Sequence, residues 1–487
     1  MDKQAAFSSD EMMGWIREMA AFGARRAGSP AGLANEDYLV AKLGEFGLAN
    51  VRREPIPVEH YRPDISRVEI DTGAGFQPFN AQWIPYCRFT PAAGIESQLV
   101  FADSGAFSHT GDWAGKVVVT EIEFPVLDVA LIGKFSMGKH DPDDNLKDIK
   151  HPATWVRLGW HLYRKAIERG AVGFIGILKD QPGGSYQMYA PYGFKEKDIL
   201  DKPLPGFWVS RNDGAQIRKL AEEGAKVRLT LTGEREPAVT HNIVGEIPGE
   251  TDEAVILHCH HDSPFVSPVE DASGCAVILA LARHFAQAAK PRRKIIVLFT
   301  AGHFYGSIGT RTFIEDHAVD VVPKVALEIT VEHVAREAIE NAAGELVESG
   351  RAEGTGVFLP FNQAMVDAVL VNLQDNGVDR AFLLPPEGPL GPYPPTDGGD
   401  WYLSGVPLVN FISNPVYLLN AEDDFNWVDQ PRLAKVAGAV AGIVEATEKL
   451  SKSAIGAVDF PLYKLKMKLI RYLVNWKTTK FGTRPVY

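Results

Sequence analysis

The sequence is short of cysteine, of long apolar runs and of excess positive charge, and each shortage excludes a class of protein. Three cysteines without a CxxC pair exclude a disulfide framework and a zinc-finger site, and they suit a reducing compartment. No uninterrupted apolar run reaches about 18 residues, so we expect no membrane span. The formal net charge of −12, from 62 acidic and 50 basic side chains, argues against a nucleic-acid-binding surface.

What is present is the composition of a globular protein. The 487 residues are 45% apolar and 23% charged, which is enough chain for roughly two or three domains. The first residues show no basic stretch followed by an apolar one, so we expect no secretory signal and a cytoplasmic protein.

Apolar strands and helices alternate regularly from Asn242 onwards. Strands such as Val255–Cys259, Lys294–Thr300 and Val325–Ile329 are separated by helical patterns. This order predicts an α/β fold with a mixed, mostly parallel sheet, helices on both faces, and a site at the carboxyl ends of the strands.

Three of these strand ends carry His, Asp and Glu. His260 and Asp262 are two residues apart, so the imidazole can bind a metal while the carboxylate holds its other nitrogen. Glu270 and Asp271 precede a helix entry rich in small residues, where N-capping is the alternative to metal binding. Glu328 ends an apolar strand, and a buried glutamate is rare unless it is paired or coordinated.

The order of these motifs resembles the co-catalytic zinc aminopeptidase family, which includes the glutamate carboxypeptidase and transferrin-receptor branches. HNIVGEIPGE matches the family's usual entry to the first strand, and IREMAAFGARRAGSPAG its usual N-terminal helix. The resemblance covers roughly residues 10–450 and implies the aminopeptidase-like fold.

The middle of the chain resembles the protease-associated domain that many members of this family carry as a β-rich insert. GKVVV, AIERGAVGFIGI and LPGFWVSRNDGAQIRKL fit that module. We therefore expect residues 1–90 and 237–450 to form the catalytic domain, 91–236 the insert and 451–487 a basic extension. The stretch Glu121–Thr154 predicts a long polar loop that serves as a lid or an oligomer contact.

The resemblance also implies a site with altered ligands. The family binds two metals and uses an adjacent pair of glutamates, one as general base and one as ligand. His260 matches its histidine ligand and Asp262 the acid that orients it, while Glu270 stands at the bridging aspartate position with Asp271 beside it.

The remaining family positions hold different residues here. His303 and Phe304 replace the glutamate pair, Glu328 replaces the later aspartate, and Leu418 or Leu419 replaces the late histidine. Phe304 and the leucine remove two of the three ligands of one metal.

We therefore expect one divalent metal ion, with zinc favoured over manganese or iron. His260, Glu270 and Glu328 are its predicted ligands, with Asp271 beside them, and His303 is either a fourth ligand or the acid–base group.

The predicted function is a metal-dependent hydrolase of an amide-like C–N bond in a small-molecule or peptide-like substrate, and we expect a homo-oligomer. The alternatives are a non-catalytic binding or scaffold protein, as in the transferrin receptor, and a metal-dependent lyase. The predicted pocket candidates, for which a core position is the alternative, are Tyr305, His333, Trp401, Tyr402, Tyr417, Trp427 and the loop Leu384–Asp400.

The tail from Phe460 to Tyr487 is basic and contains no acidic residue. It predicts a solvated arm or a helix that docks on an acidic neighbouring subunit, and contact with a membrane surface or a polyanion is the alternative.

Overall fold

The computed structural model describes residues 6–103, 111–154, 161–190 and 203–480. The strands are β1 (Ala49–Asp71), β2 (Phe76–Phe79), β3 (Ala81–Trp83), β4 (Ile95–Phe101), β5 (Val117–Ile122), β6 (Val126–Asp128), β7 (Gly138–His140), β8 (Lys150–Pro152), β9 (Gly173–Leu178), β10 (Gly206–Val209), β11 (Lys226–Ile247), β12 (Thr251–His260), β13 (Arg293–Thr300), β14 (Val325–Val331), β15 (Arg336–Glu340), β16 (Leu346–Ala352), β17 (Thr355–Phe358), β18 (Ala381–Leu384) and β19 (Leu408–Ser413). The helices are α1 (Ser9–Ala20), α2 (Pro30–Glu45), α3 (Val129–Ile132), α4 (His161–Glu168), α5 (Arg211–Glu222), α6 (Gly274–Gln287), α7 (Ile308–Asp316), α8 (Gln363–Asp375), α9 (Gly398–Leu403), α10 (Gln430–Thr447), α11 (Lys452–Ile455) and α12 (Pro461–Lys480).

One large mixed sheet organises the fold, and its centre is parallel. Strand β12 lies between β13 and β14 and runs parallel to both, and β19 continues the parallel order beyond β14. Val255 of β12 packs in the core that includes α6 and α10, whereas Ile256 packs on the other face with Phe313 of α7 and Trp401 of α9. The near-continuous apolar run of β12 is explained by burial on both faces. The predicted α/β sheet with helices on both faces is confirmed.

Two long antiparallel strands extend the sheet into a second group of strands. β1 pairs with β11 from Ala49 to Ile70, and β11 also pairs with β4. Strands β4, β5, β9 and β10 are parallel to one another and surround a second apolar core. The boundaries at residues 91 and 236, and the protease-associated character of this region, stay predictions.

Residues 126–152 pack on the main sheet, although the sequence predicts a polar loop there. Strand β7 pairs antiparallel with β18, and Ile132 and Ile149 pack against Phe358 and Phe382. The segment therefore contains short strands and helices instead of one long polar loop, because its apolar residues are buried by contact with the distant strands β17 and β18. Its role as a lid or an oligomer contact stays a prediction.

A buried ion pair anchors the hairpin β15–β16, which follows the central strands. Both guanidinium η nitrogens of Arg380 donate to the Glu337 carboxylate, at 3.1 and 3.2 Å, and Arg351 donates to it at 2.8 Å. Burial by itself raises the pKa of Glu337, but Arg380, Ser349 and Arg351 bring it down to about 2.

We predict that Glu337→Gln lowers the free energy of unfolding by about 3–5 kcal/mol at pH 7, because the buried Arg380 loses its counter-charge. Since the folded-state pKa of Glu337 is depressed, its contribution is present above pH 4.5 and is lost as the pH falls towards 2. Urea unfolding at several pH values measures both effects. The matched control is Glu348→Gln, which breaks a partly exposed pair with Arg336 and should cost less than about 1 kcal/mol. Equal losses in the two variants would contradict the prediction.

Candidate metal centre and pocket

The parallel register gathers the ends of three strands at one edge of the sheet. Ile256 lies opposite Glu328 and His258 opposite Thr330, so His260 reaches the same level as Glu332, the residue directly after β14. On the other side, His260 lies opposite Thr300, the last residue of β13. Side chains that follow these strands therefore meet in one place.

Two overlapping groups of buried ligand-type side chains form at this edge. His260, Glu270 and His303 make the first group, and His260, Glu332 and His333 make the second. In each group the candidate ligand atoms lie within 4.8 Å of one another. His260 belongs to both groups, so the two groups lie next to each other.

The Nε2 atoms of His260 and His333 both face the Glu270 carboxylate. His260 Nδ1 donates to the Asp262 carbonyl at 3.0 Å, and His333 Nδ1 donates to the Ser413 carbonyl at 2.8 Å. Within the described structure the Nε2 atoms of both histidines, and Oε2 of Glu270, are buried and have no hydrogen-bond partner outside this group of three side chains. Two oriented imidazoles and a carboxylate with unused lone pairs fit a divalent metal of the zinc type.

Glu270 couples the two histidines electrostatically. Its Oε1 lies 3.2 Å from His260 Nε2, and its Oε2 contacts His333 Nε2. Burial lowers the pKa of His333, but the Glu270 carboxylate raises it to about 10. Burial raises the pKa of Glu270, yet His333 and His260 bring it well below its usual value. A divalent cation would displace the proton that such a pair holds.

Asp262 joins the ends of β12 and β13. Its carbonyl, rather than its carboxylate, makes the closer contact with His260, because the nearest carboxylate oxygen is 3.6 Å from Nδ1. The carboxylate instead accepts hydrogen bonds from the backbone N–H groups of His303, at 3.1 Å, and Phe304, at 3.3 Å. Asp262 therefore contacts His260 through its carbonyl rather than through the carboxylate that the sequence led us to expect, and it holds the loop that carries His303.

His303 lies beside His260 and is oriented by a second carboxylate. The two imidazole rings stack with centroids 4.1 Å apart, and His303 Nδ1 is 2.8 Å from Asp397 Oδ1. Burial raises the pKa of Asp397, but the attraction of His303 brings it below its usual value. This arrangement favours the His303 tautomer that donates from Nδ1.

Glu328 and Asp271 stand outside both groups. Glu328 lies four residues before Glu332 along β14, about 13 Å at the rise of a strand. There it contacts His258 at 3.0 Å and accepts a hydrogen bond from Thr330. Oδ1 of Asp271 accepts from the backbone N–H groups of His333 and Gly274. The register thus corrects the placement of Glu328, whose expected position beside His260 is occupied by Glu332.

The sequence reasoning missed Glu332 and Asp397 and ranked His333 low. A usable signal existed for Glu332 and His333, because both directly follow the apolar run of β14, just as His260 ends the apolar run of β12. Asp397 gives no such signal, since it reaches His303 only through the folding of the loop after β18.

A pocket opens onto this cluster. Its polar end is formed by Glu270, His303, Glu332 and His333. Its walls are mostly apolar and include Val129, Ile132, Ile149, Phe358, Phe382, Leu384, Leu390, Ile412, Leu418 and Leu419. The segment 126–152 therefore forms part of the pocket wall.

Most of the aromatic candidates for the pocket lie in the core instead. Tyr417 and Trp427 stack with centroids 5.1 Å apart in the main core, and Trp401 is buried on the other face of the sheet. Tyr305 packs near Tyr86. The loop 384–400 reaches the pocket through Leu384, Leu390, Pro395 and Thr396.

Comparison with known proteins agrees with this fold. The sequence model described as peptidase family M28 matches residues 242–355. A protein named "Probable glutamate carboxypeptidase VP8" of Zea mays is 23% identical over 354 residues, 64% of this chain and 48% of its own length. Aminopeptidase NAALADL1 of Mus musculus is 27% identical over 298 residues, 51% of this chain and 40% of its own length. The chain spans less than half the length of these curated relatives.

Solved structures show the same architecture. A zinc aminopeptidase from Bacillus subtilis superposes with a TM-score of 0.66 at 16% identity, covering 92% of this chain and 98% of the other. A peptidase M28 precursor from Shewanella amazonensis superposes with a TM-score of 0.65 at 18% identity, covering 90% and 96%. Residues 242–355 therefore match the peptidase family M28 model, and the chain has an aminopeptidase-like α/β fold.

Proposed function

We propose that this protein is a metal-dependent hydrolase that cleaves an amide-like C–N bond in a peptide-like or small-molecule substrate. The observation that carries the proposal is the convergence of two buried imidazole Nε2 atoms, of His260 and His333, on the buried Glu270 carboxylate at the polar end of a pocket. The match to peptidase family M28 supports the same reaction class.

One divalent ion would be held by His260, Glu270 and His333, with Glu332 beside them. Zinc suits this set of imidazoles and carboxylates, and manganese or iron are the alternatives. When bound, such an ion polarises a carbonyl oxygen and lowers the pKa of a coordinated water. The apolar surroundings of Phe304, Leu418 and Leu419 favour one ion over two.

His303 is the group that moves the proton in this proposal. Its Nδ1–H donates to Asp397, so Nε2 is the atom that accepts a proton and returns it to the leaving nitrogen. Asp397 positions the ring, and Asp262 holds its backbone through the two N–H groups described above. The apolar walls favour a substrate whose group next to the scissile bond is apolar, and they keep water away from the rest of the pocket.

The first prediction tests whether the metal is held by His333, which the structure places beside His260, or by Glu328, which the sequence motif predicted as a ligand. Protein saturated with zinc and then dialysed should retain about one ion per chain, and His260→Ala or His333→Ala should remove most of it. Glu328→Gln should retain the ion, because Glu328 lies outside the cluster. Elemental analysis measures the metal, and circular dichroism checks that each variant is folded. Two tightly held ions, or metal loss in Glu328→Gln alone, would refute this assignment.

The second prediction concerns His303. His303→Ala should lower turnover of apolar aminoacyl and acyl arylamides about 10²–10⁴-fold while the bound metal stays, because the proton acceptor is lost. Asp397→Asn should lower turnover with metal retained and should change the pH profile, since the ring loses the carboxylate that fixes its tautomer. Loss of metal in His303→Ala would make this residue a ligand. Full turnover with full metal would rule out both roles, and a metal-loaded wild type without turnover would favour the binding-protein alternative.

A further inference from the structure

The C-terminal helix α12 is attached to the body of the protein by one face. Tyr463 donates to the Phe135 carbonyl, Met467 is fully buried, and Arg471 pairs with Glu387 at 3.1 Å. These three residues are spaced four apart, so they form one line along the helix. Arg484 of the basic tail lies outside the described residues.

The opposite face of α12 exposes an apolar stripe to solvent. The exposed fractions are 81% for Leu462, 63% for Leu465, 60% for Leu469, 60% for Tyr472 and 54% for Leu473. At about 100° per residue these five side chains occupy a sector of roughly 100°. Large apolar side chains grouped in this way mark an interaction surface.

Basic side chains border the stripe on both sides. At about 100° per residue, Lys466 falls at one edge and Lys468 at the other, and both are exposed. The tail from Phe460 to Tyr487 has seven basic residues and no acidic one, in a chain whose net charge is −12. The tail therefore carries a local excess of positive charge, and Lys466 and Lys468 place part of it beside the apolar stripe.

We propose that α12 binds the surface of an anionic lipid bilayer. The leucines and Tyr472 enter the boundary between headgroups and acyl chains, and the flanking lysines contact anionic headgroups. Among the described residues no helix is long and apolar enough to cross a membrane, so the helix lies on the surface. Charge complementarity favours this partner over a second copy of α12, since pairing the stripes of two copies would bring their lysines together.

The contacts of α12 place the pocket wall near that surface. Phe135 and Glu387, which hold the helix, belong to the segment 126–152 and to the loop after β18, and both regions line the pocket. Leu131, in the same segment, is 54% exposed. Binding through α12 would bring the apolar pocket close to lipids and to amphiphilic molecules dissolved in them.

Flotation of the full chain with vesicles tests this proposal. The protein should float with phosphatidylcholine vesicles that contain phosphatidylglycerol, bind pure phosphatidylcholine more weakly, and lose binding as salt is raised. The variant Leu465→Ser/Leu469→Ser should bind at least about tenfold more weakly, because two leucines that would enter the bilayer are lost. Lys466→Gln/Lys468→Gln should reduce the preference for anionic vesicles.

The matched control is Leu403→Ser/Val371→Ser, which replaces two apolar residues that are 51% and 50% exposed on other helices. Thermal melts establish that every variant is folded. Absence of flotation with anionic vesicles, or equal weakening in the control, would overturn the proposal. So would an oligomer on gel filtration that the Leu465→Ser/Leu469→Ser variant dissociates, because a second copy would then cover the stripe.

Discussion

The parallel pairing of β12 with β13 and β14 is the constraint on which the rest of the site depends. A backbone ladder allows only one register once both faces of a strand are buried, and here it brings the end of β12 level with the end of β14. His260 then lies beside Glu332 and His333. Thr300, opposite His260, begins the turn that returns His303 to the same place. The strand register, and not the hydrogen bonds between the side chains, brings these residues together.

Hydrogen bonds to buried carboxylates then fix the orientation of the residues that the register brings together. Asp262 ties the loop after β13 to the end of β12, and Asp397 fixes the ring of His303. Asp423 accepts from the backbone N–H groups of Val269 and Glu270, which holds the segment that carries the Glu270 side chain. Each of these acids is buried, so the low local dielectric strengthens its hydrogen bonds and makes an unpaired partner costly.

The second core reaches the site from the other side. Phe304, Leu418 and Leu419 pack with the apolar residues of the outer strand group, including Tyr189. The positions at which the resembled family has metal ligands are therefore part of a hydrophobic core in this protein. Together with the wall formed by residues 126–152, this leaves the His and Glu side chains as the polar end of an apolar pocket. The helix α12 contacts the same wall, which links the proposed lipid surface to the proposed chemistry.

The sequence by itself determined the α/β class, because the apolar runs around Val255 and Val325 have strand length and alternate with helices. Through the family resemblance it also led to the prediction that His260, Asp262, Glu270 and His303 share one site, and the structure brings these four residues to one edge of the sheet. Only the tertiary structure decided that Glu332 takes the place expected for Glu328. Glu328 lies within the apolar strand and Glu332 directly follows it, and the choice between these two acids depends on the register against β12, which a single strand does not encode. The same holds for Asp397 and for residues 126–152, whose partners lie far away in the chain and are chosen by packing.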